Sequence, residues 1–138
     1  MAQSIAQITV LVNDYDEAIQ FYTKKLNFTV IEDTVLNDTK RWVVIAPKNS
    51  TGCCLLLAKA SDKEQKEYIG NQTGGRVFLF LYTDNFWSDY NSMVESNINF
   101  IRQPTQEIYG MVAVFEDLYG NLWDLVEPAS KVLNKSND

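Results

Sequence analysis

Histidine is absent from this sequence. That single gap excludes a Ser-His-Asp triad, a histidine-held metal and a histidine acid-base pair, because no other side chain changes charge near neutral pH without help from its surroundings. Cysteine is scarce, with two residues, Cys53 and Cys54, side by side in an apolar run. Neighbours on a strand point to opposite faces, so the two are poorly placed to bond to each other, and small buried packing is the role expected of them. Basic residues are outnumbered, 12 Lys and Arg against 18 Asp and Glu, for a net charge of −6. A nucleic-acid partner is disfavoured, since phosphate binding needs clustered cations. An acidic balance suits a cationic ligand instead, although simple solubility demands it too. No apolar run is long enough to span a membrane and no basic-then-apolar leader is seen, so the cytoplasm is the expected compartment.

What is present is an ordinary globular composition. The 138 residues are 46% apolar and 22% charged, enough for one domain with a real core. The most structured stretch runs from Ile5 to Phe28, IAQITVLVNDYDEAIQFYTKKLNF. Ile8, Val10 and Val12 alternate with Gln7, Thr9 and Leu11, the period of a strand. Asp14 with Glu17 is a capping box using Asp in place of Ser or Thr. Tyr15, Ala18, Ile19, Tyr22 and Leu26 then fall at helical spacing. Asn27 stands where a helix often ends in a left-handed residue.

The pattern recurs. A shift of 70 puts Gln7 on Val77, Asp14 on Asp84, Asn27 on Asn97 and Ile31 on Ile101, and a later shift of 69 puts Leu55 on Asp124 and Ser61 on Ser130. The second copy carries Phe86, Trp87, Tyr90, Met93 and Val94 on one helical side. Between the copies, strands are expected over 29–34, 41–47 and 53–59, and Ser61 with Glu64 marks a short helix start. Gly70 to Gly75, GNQTGG, is the most linker-like segment. In the second half a short strand over 99–103 is expected to stop at Pro104, and a hairpin turns through Asp117 to Asn121, with Gly120 supplying a positive φ. Each half therefore reads β-α-β-β-β, followed by a polar tail from Ser130 expected to fray.

DYDEAIQFYTKKLNF, RWVVIAP, GGRVFLFLYTDN and FEDLYGNLWDLVEP, taken in this order, resemble the vicinal oxygen chelate superfamily of glyoxalases, bleomycin resistance proteins and extradiol dioxygenases. The resemblance covers roughly 5–128. It implies an α+β fold of two βαβββ modules, 5–60 and 76–128, whose curled mixed sheets form a cup, with a linker helix and loop over 61–75 and a tail over 129–138. A homodimer is implied as well. Asn27 replaces the family's usual Gly, and Leu118 its usual Pro.

The resemblance also implies four metal-ligand positions, which fall here on Gln7, Leu55, Val77 and Asp124. Gln and Asp can donate oxygen, whereas Leu and Val have no lone pair. Two protein oxygens would leave a divalent ion mostly hydrated, so the metal is read as lost and no cofactor is expected. What remains is a cup lined by Gln7, Thr9, Leu55, Leu57, Val77, Leu79 and Asp124, with Trp42, Tyr109 and Met111 as walls or stacking partners. The same residues would equally pack a core between sheets. Asp124, among apolar neighbours, is costly to bury as an anion. It fits a hydrogen bond to Gln7, a ligand amine or amidine, an acid-base role, or a purely structural contact. Three functions stay open at this point. The first is metal-independent binding or sequestration of a small, partly apolar molecule, a cation being suited to Asp124. The second is a metal-dependent lyase, isomerase or dioxygenase, and the third a non-catalytic dimeric regulatory module.

Overall fold

The structure, a computed structural model, describes residues 1–130; the expected polar tail lies almost wholly outside them. The chain divides into two compact units, Met1–Gln72 and the part from Thr73 onward. In the first, β1 (Gln7–Val12) leads into α1 (Tyr15–Lys25), then β2 (Phe28–Val35), β3 (Arg41–Pro47), β4 (Cys54–Lys59) and a short α2 (Lys63–Tyr68). The second repeats the order with β5 (Leu79–Tyr82), α3 (Phe86–Glu95), β6 (Phe100–Glu107), β7 (Gly110–Glu116) and β8 (Leu122–Pro128). Each unit carries one four-stranded mixed sheet, in the orders β1-β4-β3-β2 and β5-β8-β7-β6, with the first strand parallel to the last and the rest antiparallel. This is the α+β, paired βαβββ architecture expected from the sequence.

Helix ends follow the sequence closely. Asp14 is the N-cap of α1, its carboxylate accepting the Glu17 N–H at 2.8 Å. Asn27 and Asn97, 70 positions apart, both adopt the left-handed backbone, with φ of 59° and 64°. The expected start of α2 moves by one residue. Asp62 is its N-cap and accepts from Gln65 N–H, while Ser61 N–H donates to the Gln65 side chain. In the second unit Asn85, not Asp84, caps α3.

One helix covers one face of each sheet. In the first unit Tyr15, Ala18 and Tyr22 are buried against Val10, Val12, Val43, Ile45, Leu55 and Leu57, and the Tyr22 ring meets Phe28. Arg41 locks the helix start to the sheet. Its guanidinium lies over the Tyr15 ring and donates to Asp33 at 2.7 Å and to Asp16 at 2.9 Å, and these two carboxylates, Asp33 foremost, hold its proton even more firmly than usual. In the second unit a chain of rings runs from Phe86 to Tyr90, Phe100, Phe115 and Trp123. Of the expected apolar helix stripe only Phe86 and Met93 are buried, while Trp87 and Val94 face outward.

Two sheet edges depart from expectation. β6 runs straight through Pro104, because it is an edge strand interrupted by bulges, where a missing N–H leaves no ladder partner unsatisfied. At the free edge of β1, the Gln72 side-chain amide accepts Leu11 N–H at 2.7 Å and donates to the Thr9 carbonyl at 3.1 Å, taking the place of a neighbouring strand.

The left-handed Asn positions make a direct test. Asn27→Gly is expected to leave stability unchanged or raise it, whereas Asn27→Ala should cost about 1 kcal/mol, because a Cβ without a local side-chain hydrogen bond is strained there. Urea melts of the two variants check this, with Asn97 expected to behave alike.

Candidate functional site on the helix-free sheet faces

Strand alternation gives each sheet a second face, away from its helix. In the first unit the register pairs Gln7 with Cys54, Thr9 with Leu56 and Leu56 with Val44. Gln7, Thr9 and Trp42 therefore share the helix-free side. Leu55 and Leu57 pair instead with Ile8, Val10, Ile45 and Val43, and they lie on the helix-packed side. This corrects the expectation that they line the same surface as Gln7. Cys53 is exposed and Cys54 half-buried, not the small core residues expected.

The second unit shows the same one-residue slip. Asp124 pairs with Phe80 on one side and Val114 on the other, and Val114 pairs with Arg102. Leu79 pairs with Trp123, and Met111 with Glu127, so both belong to the side covered by α3. Val77 precedes β5, and Tyr109 sits at the two-residue turn before β7, 45% exposed. The cause is a difference in helix length. From N-cap to N-cap, Asp14 to Asn85, the copies are 71 positions apart, yet from Asn27 to Asn97 they are 70, since α1 has 11 residues and α3 has 10. A slip of one residue on a strand turns every side chain to the other face. Phe78 thus corresponds to Gln7; the pairing of Thr9 with Leu56 and of Phe80 with Asp124 separately shows that Leu56 rather than Leu55 corresponds to Asp124.

Phe80, Tyr82 and Arg102 are the residues that sequence reasoning missed. The run VFLFLY is apolar at both parities, so its period could not say which rings share a face with Asp124. Phe80 is 62% exposed and Tyr82 64% exposed.

Asp124 is half-buried, and no hydrogen bond or ion pair engages its carboxylate among the described residues. Burial pushes its proton affinity above the ordinary Asp range, and the positive charge of Arg102 pulls the other way. Arg102 itself bonds Glu107 at 2.6 Å. Glu127, of opposite parity, plays a structural part, since its carboxylate accepts Phe86 N–H at 2.7 Å and steadies the start of α3. The nearby turn is anchored by buried Asp117, which accepts from Tyr119 N–H, Asn121 N–H and the Asn121 amide at 2.9–3.0 Å, with Trp123 Nε1 at 3.4 Å. Gly120 closes it with φ of 96°.

The donors do not fit a metal. With the register corrected, the four positions of the chelate pattern hold Gln7, Leu56, Phe78 and Asp124, still one amide and one carboxylate. Among the described residues no group of three His, Cys, Asp or Glu side chains could hold an ion.

Each βαβββ unit thus carries polar side chains on its helix-free face, Gln7 and Thr9 in the first and Asp124 and Arg102 in the second. The chain belongs to the glyoxalase/bleomycin resistance protein/dioxygenase superfamily, whose model matches residues 4–125. A protein of Shewanella frigidimarina is 61% identical over 128 residues, covering 92% of this chain and 95% of that one. Among solved structures, UcmS2 is similar at 26% identity and a TM-score of 0.80, over 92% of this chain and 99% of its own. TnmS3, an antibiotic-binding protein from Streptomyces sp. CB03234, is similar at 26% identity and a TM-score of 0.76, over 94% and 99%. No described helix is long and apolar enough to cross a membrane.

Both buried and half-buried carboxylates bear on stability. Asp117→Ala strands several buried donors and should cost about 2–4 kcal/mol in a urea melt. At Asp124 the folded state binds its proton more tightly than the unfolded chain does. The ionised group therefore weakens the fold above its ordinary titration range, near pH 4, and this burden lifts as pH falls. Asp124→Asn should melt no lower than the parent at pH 7, and the gap in melting temperature should shrink toward pH 3.

Proposed function

We propose that the protein binds and sequesters a small, partly apolar cationic molecule without a metal, as a cytoplasmic homodimer. One observation carries this reading: Asp124 is a half-buried carboxylate without a protein partner among the described residues, beside the exposed ring of Phe80. A desolvated anion gains more from an incoming cation than a hydrated one does, since the cost of stripping its water has already been met by folding. A flat apolar surface next to it supplies contact area and cation–π attraction. Gln7, Thr9 and Trp42 are proposed as ligand contacts of the first unit, polar and aromatic groups on its own helix-free face.

The likeness to TnmS3, an antibiotic-binding protein, supports a binding role. The donor set supports metal independence, because an amide and a carboxylate cannot displace enough water from a divalent ion. The unpaired thiols of Cys53 and Cys54 suit a reducing compartment.

A thermal-shift panel of planar aromatic amines and of alkylamines such as octylamine tests the proposal. Binders should raise the melting temperature of the parent and not of Asp124→Asn, because only the carboxylate supplies the opposite charge. Affinity should fall as pH drops through the raised Asp124 titration, at a pH above the usual value near 4. Equal binding by Asp124→Asn, or no shift from any amine, would refute the assignment.

A further inference from the structure

The row that holds Asp124 carries a second charge at fixed spacing. Across the helix-free face of the second sheet, the cross-strand partners run Phe80, Asp124, Val114, Arg102, one residue from each strand in the order β5-β8-β7-β6. Side chains directly opposite one another stand on the same side of a sheet. Asp124 and Arg102 are two strands apart, which sets their backbones about 10 Å from each other. Half-buried Val114 lies between them as an apolar step. The two charges do not meet: Arg102 is bonded to Glu107, yet its positive charge is felt at Asp124. One terminal nitrogen of the guanidinium donates to Glu107, and the rest of the fork is left for another acceptor. The side chain of Arg102 is 49% exposed.

We infer that this row recognises an amphoteric ligand, with a cationic amine on Asp124, an apolar middle over Val114 and an anionic group on Arg102. The inference rests on the binding role proposed above and adds the ligand's second charge. A simple cation would satisfy Asp124 but would meet an unfavourable field from Arg102. An acid about 10 Å from the amine turns that repulsion into a second contact. Carboxylate and phosphate ends share this chemistry, because both match the planar fork of an arginine.

The test compares 8-aminooctanoate, octylamine and octanoate by two-dimensional NMR titration of the full chain and of Arg102→Gln and Asp124→Asn. Arg102 is half exposed, so Arg102→Gln should keep the parent's melting temperature. For the parent, 8-aminooctanoate should bind about five-fold more tightly than octylamine, the gain of a solvent-exposed charge pair. Arg102→Gln should lose that advantage and bind octylamine somewhat more tightly than the parent does, because the charge that repels a simple cation has gone. Asp124→Asn should weaken both amines.

If octylamine binds through Asp124 but the amino acid binds no better, or its advantage survives Arg102→Gln, the amphoteric assignment falls and the cation-binding role stands. If neither amine binds, both fall. Separate titrations of the parent with 8-aminooctanoate and with octylphosphonate against octanoate distinguish the sources of the anionic end: a phosphonate that outcompetes octanoate only in the presence of Arg102 points to a phosphate-bearing ligand, and equal binding of the two acids through Arg102 to a carboxylate.

Discussion

Strand alternation under a single covering helix is the constraint that everything else here depends on. Each sheet has one helix, and the residues facing it are fixed by burial: Val10, Leu57 and Ile45 in one unit, Phe115, Trp123 and Leu125 in the other. Once those are committed to the core, the side chains between them have no choice of side. Asp124 is placed by Trp123 and Leu125, its two buried neighbours, more than by any contact of its own. The chemistry of the helix-free face is thus a by-product of packing on the other one, and a deletion of one strand residue would exchange the two.

The fold was legible wherever a position has one physical solution. A cap needs an oxygen, and Asp14 supplies it. A left-handed residue needs Gly or Asn, and Asn27 and Asn97 mark both helix ends. A tight turn needs Gly120. Sidedness was less legible, because CCLLLA and VFLFLY are apolar at every position, and alternation is silent where both parities look alike. The missing residue in α3 compounded this. It displaced the offset of the first strands, so Leu79 was expected where Phe80 lies, and the last strands are offset by 68 and not 69, so Leu55 was expected where Leu56 lies. Pro104 misled for a different reason: its effect on a strand depends on whether the strand is at an edge, which one segment of sequence does not record. Arg102 was invisible because bulges on both sides of it break the counting that would have led from Asp124 across two strands.

The site itself is defined by subtraction. The chelate pattern survives as backbone positions, with apolar side chains at two of four and weak donors at the others. Among the described residues the positive charge felt by the Asp124 carboxylate is a guanidinium two strands away. Such a carboxylate raises the free energy of the empty protein slightly, and that cost is recovered when a partner arrives. In the binding role proposed above, a surface of this kind discriminates by charge first and by shape second.

The Gln72 amide at the margin of β1 has a bearing on the protein's behaviour in a crowded solution. A sheet ends in a row of unspent backbone donors and acceptors, and any extended chain nearby can extend it, which is how ordered aggregates begin. One side chain, arriving from 61 and 63 residues along the sequence, occupies a donor and an acceptor in the middle of that row. An incoming strand would have to break both bonds before it gained its first. Colloidal stability in this chain therefore owes something to a single uncharged residue in a loop, as well as to the surplus of acidic groups on its surface.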